Sequence, residues 1–148
     1  LSRARRTFAE LNFGKPFPFK YDRRHMFNLT LHHRFTDNLS LSLTWVYHTG
    51  RAATFETQTY FASDMFKNLG GVDWYPYRNN LRFPDYHRLD VGVNMKKQTG
   101  WGVRTWRIGL YNAYSRINPF YLRVNPRGNL EKVGLFPIMP FVSYQFKF

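Results

Sequence analysis

The chain has 148 residues, a net charge of +13, no cysteine and 20% aromatic side chains. Without cysteine there is no disulfide frame, thiol nucleophile or cysteine-held metal, and no apolar run is long enough for a membrane-spanning helix. The basic excess points to a phosphate-bearing or otherwise acidic partner, and LSRARRTFAEL does not read as a secretory leader.

Taken in chain order, the sequence predicts a weak first strand at Thr7–Phe13 and then a connection, GKPFPFKYD, at 14–22. From Arg24 to Phe35 apolar and polar residues alternate: Phe27, Leu29, Leu31 and Phe35 take one face, interrupted by His33, and Met26, Asn28, Thr30, His32 and Arg34 the other. A polar turn, TDN, leads into Leu39–His48, where Leu39, Leu41, Leu43, Trp45 and Tyr47 oppose Ser40, Ser42, Thr44, Val46 and His48. A long connection from Gly50 to Tyr86 follows. Within it TFETQTYF, at 54–61, either prolongs the preceding strand or forms a separate one.

Alternation returns at His87–Lys97, with Leu89, Val91, Val93 and Met95 opposed to Arg88, Asp90, Gly92, Asn94 and Lys96. After QTG, Arg104–Asn112 sets Trp106, Ile108 and Leu110 against Arg107, Gly109 and Tyr111. A connection containing NPRGN, at 125–129, precedes the last strand within Leu135–Phe148. There Ile138, Val142, Tyr144, Phe146 and Phe148 oppose Phe141, Ser143, Gln145 and Lys147.

This pattern predicts an all-β, antiparallel, up-and-down arrangement of about six strands, one domain over 1–148, with no helix. Short turns alternate with long connections, and aromatic residues sit near strand ends (Trp45 and Tyr47; Phe35, Trp106, Tyr144 and Phe148), as in transmembrane barrels. Ten residues at about 3.3 Å each, tilted by about 40°, cover roughly 25 Å, the height of a barrel's apolar band. About six strands are too few to close a barrel of the usual minimum of about eight. The chain is therefore expected to be the C-terminal part of a longer polypeptide or to pair with a chain that supplies further strands.

Arg24, Asn28, Arg34, Arg88, Asp90, Asn94 and Arg107 are the expected polar wall of the lumen, with Asp90 among basic residues. Trp74, Tyr75, Tyr77 and Tyr86, with Phe66, are candidates to touch a ligand or a lid, although loops of this length also pack on their own side chains. Arg51, Arg78, Arg82 and Arg88 are placed to meet lipopolysaccharide phosphates. His32 and His33 are adjacent on a strand and point to opposite faces, so they do not chelate together, and no metal or catalytic residues are assigned.

The ending YQFKF resembles the terminal signal of Gram-negative outer-membrane barrels. In order along the chain, GKPFPFKYDRRH, WVYHTG, NNLRFPDYHRLDVGVN, LYNAYSRINPFYL and LFPIMPFVSYQFKF resemble the C-terminal barrel strands of TonB-dependent receptors of the Bacteroidota type. The resemblance implies a barrel of about 22 strands around a plug, located in the outer membrane with its C-terminus on the periplasmic side. It implies import of a nutrient (an iron chelate, cobalamin, a glycan or a peptide) and no enzymatic activity or cofactor. It makes Tyr144, Phe146 and Phe148 an insertion signal.

The implied partners are outer-membrane lipid and lipopolysaccharide, the remaining strands and plug, TonB through regions outside 1–148, and a surface lipoprotein; nucleic acid is not among them. Two other readings stay open: a barrel serving as scaffold or adhesin in an outer-membrane complex, and a soluble basic β-protein that stacks glycans or nucleic-acid bases on aromatic rings.

Overall fold

Wherever the alternation runs long enough, it becomes an antiparallel ladder. The computed structural model describes residues 1–55, 58–61, 71–125 and 129–148. Its strands are Arg5–Arg6 (β1), Phe17–Pro18 (β2), Met26–Thr36 (β3), Leu39–His48 (β4), Ala52–Ala53 (β5), Gln58–Phe61 (β6), Gly71–Trp74 (β7), Leu81–Arg82 (β8), Tyr86–Thr99 (β9), Gly102–Tyr111 (β10), Asn118–Val124 (β11), Leu130–Leu135 (β12) and Met139–Lys147 (β13). Among the described residues the one helical element is a 3-10 turn at Asn12–Gly14. The chain divides into two units: Met26–His48 with Asp85–Phe148, and Leu1–His25 with Thr49–Pro84.

The first unit holds a five-stranded antiparallel sheet in the order β13-β10-β9-β4-β3. Because the side-chain period is two, register decides which face each residue takes. The register aligns Thr30 with Thr44 and Thr44 with Asp90, and Arg107 with both Asn94 and Ser143. The two faces are therefore those the alternation predicts. Two tight turns join neighbours: Thr36 Oγ1 accepts from the Asn38 amide at 3.2 Å, and Thr99 Oγ1 donates to the Gly102 carbonyl at 2.9 Å. Gly102 has φ of 149°, and a Cβ there would lie 2.2 Å from the Lys147 carbonyl oxygen, so the turn passes close under the end of β13. β3 and β13 are the free edges, and the sheet is open.

The stretch around NPRGN is more than a connection. β11 and β12 pair from Asn118↔Leu135 to Val124↔Leu130, with a register shift between Pro119 and Tyr121. Residues 126–128 of NPRGN lie outside the described residues. Arg123 pairs with Glu131 at 3.0 Å, and Asn125 donates to the other oxygen of Glu131 at 2.9 Å. The amide of Asn125, followed by the guanidinium of Arg123, holds the Glu131 carboxyl below its ordinary pKa.

The second unit corrects the expected first strand. Residues 7–13 form turns and the 3-10 element, because Asn12 and Phe13 take φ of 53° and 56° and reverse the chain. TFAELNF carries no clean alternation that would resist this reversal. TFETQTYF does not prolong β4: β5 pairs with β8, and β6 pairs with β7, in separate two-stranded sheets. Glu56 and Phe66 lie outside the described residues.

Among the described residues of this unit Phe17, Ala52 and Phe83 are the buried apolar ones, and Asp22 is buried with them at 2% exposure. The Ala4 amide donates to Asp22 Oδ1 at 2.7 Å, and Arg82 pairs with Oδ2. Arg82 also donates to the carbonyls of Asp22 at 3.2 Å and Gly50 at 3.1 Å, so one guanidinium ties three stretches of chain. Asn12 exchanges hydrogen bonds with the backbone of Arg78 at 3.1 and 2.6 Å, and Asn80 does the same with Phe55 at 2.9 and 2.8 Å. These amide side chains stand in for ladder partners where no strand is available.

Burial pushes the Asp22 carboxyl up, but the Ala4 amide, the Arg82 guanidinium and the charge on Arg24 outweigh it and hold its pKa below the ordinary value. A lowered folded pKa contributes stability that is present above the unfolded value and lost as pH falls through the folded one. Amide exchange at Ala4 and Phe19 should therefore quicken as pH drops below the usual carboxylate range, after correction for intrinsic rates. Arg82→Ala should weaken this unit by about 1–3 kcal/mol, and Asp22→Asn should flatten the acid dependence. An unchanged acid profile in Asp22→Asn would assign the dependence to another carboxylate.

Candidate functional site

The large sheet is unusual in having no core of its own. Every residue of β3 and of β13 is exposed. Phe27, Leu29 and Leu31 are 56%, 64% and 54% exposed, and Val142 at the other edge is 64% exposed. Register gathers these residues into rows across one face. Leu31, Leu43, Val91 and Leu110 make one row, and His33, Leu41, Val93, Ile108 and Val142 the next. At one end the rows finish on Phe27, Tyr47 and His87, and towards the other on Leu39, Met95, Trp106 and Tyr144. Rings meet at both ends: Trp45 stacks on Tyr47 with centroids 5.9 Å apart, and Trp106 lies tilted against Tyr144 at 4.7 Å. Contiguous exposed apolar faces mark contact with lipid, with a partner or with a further part of the fold.

The opposite face is polar. It carries Asn28, Arg34, Arg88, Asp90, Asn94 and Arg107, as predicted from the alternation. Arg24 does not belong with them: it precedes β3 and falls in the other unit. Nor do these residues converge on Asp90. Arg88 pairs with Asp90 at 2.9 Å and donates to Tyr86 Oη at 3.1 Å and to Tyr111 Oη, its guanidinium lying 4.0 Å above the Tyr111 ring. Arg34 instead reaches Asp37 at 3.7 Å, across an exposed turn. Arg107 lines a hollow of about 770 Å³ with Arg34, Lys96 and Asn94. Cations thus dominate this surface, with Asp37 at its margin. Among the described residues no cluster of three His, Asp or Glu side chains is suited to hold a metal ion.

The loop aromatics are dispersed. Tyr77 packs edge-on against Phe13 with centroids 5.8 Å apart, and Tyr75 lines a hollow of about 380 Å³ with Glu10 and Arg78. Trp74 is 52% exposed. Tyr86 is a strand residue, not a loop residue: it opens β9 and stacks flat on His48 at 4.6 Å. At the chain end Tyr144 belongs to the apolar face, Phe146 pairs with Arg104, and the Phe148 ring is 6.3 Å from that of Phe146.

Two asparagines escaped the sequence reading. Asn118 is 7% exposed; its Oδ1 accepts from the His87 amide at 3.1 Å and its Nδ2 donates to the His87 carbonyl at 2.9 Å. One side chain therefore replaces a strand partner where β10 has ended. Asn112 is 1% exposed with φ of 54°, a conformation asparagine tolerates. It donates to the carbonyls of Arg116 and Phe136 at 2.8 and 3.1 Å, and its own amide donates to Asp90 Oδ1 at 3.0 Å. Asn112 directly follows β10 and Asn118 opens β11, and neither place carries a local pattern that would single it out.

Phe141 also lies on the polar face, across the glycines of β9 and β10. A Cβ at Gly109 would sit 2.5 Å from its Cζ and 2.5 Å from the Val91 carbonyl oxygen. Gly109→Ala should cost about 1–3 kcal/mol of unfolding stability in a urea titration. Phe141→Ala in that background should recover part of the loss; a purely additive pair would show that the ring does not press on this site. Comparison with protein-family models, with curated proteins and with solved structures gave no match.

Proposed function

We propose that this chain is wall of an outer-membrane β-barrel, the C-terminal barrel segment of a TonB-dependent type of receptor that imports a nutrient. The observation that carries the membrane part is the apolar face and its limits. On β9 the interval from His87 to Lys97 holds only Leu89, Val91, Val93 and Met95 on that face. At about 3.3 Å per residue it measures about 33 Å along the strand, or roughly 25 Å at a tilt near 40°, the thickness of the bilayer's hydrocarbon as barrels meet it. Lipid covers this face, and the cationic face lines the lumen.

The free edges of β3 and β13 support the larger barrel. Unpaired backbone groups in hydrocarbon cost several kcal/mol each, so both edges need strands from elsewhere. The tight turns at 36–39 and 99–102 are then periplasmic, and the long connections face outward. The receptor assignment rests on the motif resemblance and on the division of labour it implies. The plug and the TonB-binding region lie outside residues 1–148, and the segment itself supplies wall, lumen charge and outer connections.

Leu43 and Thr44 are neighbours on opposite faces near mid-height. Leu43→Arg should destabilise the vesicle-folded protein by about 2–4 kcal/mol, and Thr44→Arg by less than about 1 kcal/mol. Chemical unfolding from lipid vesicles, with heat-modifiable gel mobility as the assembly readout, measures both. Equal effects at the two positions, or recovery of the native protein as a soluble species without detergent, would remove the membrane reading.

A further inference from the structure

We propose that Lys97 and Arg104 form a binding site for the headgroup phosphate of an anionic phospholipid in the periplasmic leaflet. The site rests on the membrane reading above and adds a ligand to one point of the wall. Arg104 and Lys97 are direct cross-strand partners, so their side chains rise side by side from the same face. That face is the apolar one: two residues further into the sheet on each strand stand Met95 and Trp106, and Phe146 is Arg104's partner on the other side.

Like charges directly opposite one another destabilise a ladder. The ion pairs of the described residues join Arg34 to Asp37, Arg82 to Asp22, Arg88 to Asp90 and Arg123 to Glu131. None involves Lys97 or Arg104, and both are exposed. An external anion placed between them removes the repulsion, and a guanidinium beside an ammonium suits a phosphate.

The surroundings select a lipid phosphate over a soluble one. The pair ends the apolar rows, one step beyond the Trp106–Tyr144 rings, whose centroids are 4.7 Å apart. Trp101, in the turn that joins the two strands, is 88% exposed. Amphipathic rings of this kind lie at the headgroup level, and long basic side chains there extend their stems along acyl chains and their charge into the headgroups. Lys96 provides an internal contrast: one residue away, it takes the other face and lines the polar hollow.

The test uses the whole assembled protein in a cysteine-free background, with Val142→Cys, on the same face of β13, carrying a bimane label, in phosphatidylcholine vesicles containing phosphatidylglycerol. Either lipid is brominated on its acyl chains, and quenching is compared per mole. Phosphatidylglycerol should quench about fivefold or more efficiently than phosphatidylcholine, since each basic residue near the surface favours an anionic lipid by about that factor. Lys97→Gln with Arg104→Gln should abolish the preference, and Lys96→Gln should keep it. Equal quenching by both lipids in the unsubstituted protein, or equal loss in Lys96→Gln, would overturn the site and leave the membrane reading intact. Absence of quenching by brominated phosphatidylcholine would instead overturn the membrane reading itself.

Discussion

Backbone hydrogen bonding governs this structure. A strand whose side chains are exposed on both faces gains little from a core, so its cohesion comes from the ladder. In the large sheet the ladder is nearly continuous from β3 to β13, with one register shift between Arg34 and Thr36 in β3. Where a strand partner ends, side-chain amides take over: Asn118 serves both backbone groups of His87, and Asn112 gathers the carbonyls of Arg116 and Phe136. The same device recurs in the other unit at Asn12 and Asn80. An asparagine carries both a donor and an acceptor, so one side chain can satisfy both backbone groups of a residue that has no strand beside it.

The two units stand on different physics. The one built from 1–25 and 49–84 has a small core and a buried charge pair, Asp22 with Arg82. Such a pair specifies which segments meet more than it adds stability, because desolvation consumes much of its attraction. The sheet has no buried apolar residue, its ion pairs lie at the surface, and its faces differ in chemistry. On one, aliphatic rows run between aromatic margins. On the other, Arg34, Lys96 and Arg107 keep a wide hollow cationic, and Arg88 is held in place by Asp90 and two tyrosines.

Period-two alternation made the large sheet readable, because four of its strands are ten or more residues long and a one-residue slip would invert both faces. That is why Asn28, Arg34, Arg88, Asp90, Asn94 and Arg107 could be assigned to one face without coordinates. Short elements carry no such redundancy. TFAELNF has a weak strand pattern, yet Asn12 and Phe13 reverse it, and Arg24 lies just outside the ladder whose alternation it precedes. The β11–β12 hairpin was hidden by the turn-rich residues at its tip. Partnerships such as Asp22 with Arg82 or Asn118 with His87 join residues 60 and 31 positions apart, and no local period encodes them.

The alternation of tight turns and long connections also sets where this chain is free to change. Closing a loop costs entropy that grows only logarithmically, about 0.6 kcal/mol for each doubling of length. The connections at 49–85 and 112–138 can therefore lengthen greatly at little thermodynamic cost, provided that Asn118 keeps its hold on His87. The turns at 36–39 and 99–102 have less latitude, since one residue inserted there must be taken up as a bulge or else exchanges the two faces of the strand that follows. Divergence between related chains would then concentrate at one end of the sheet, while the other end stays constant in length.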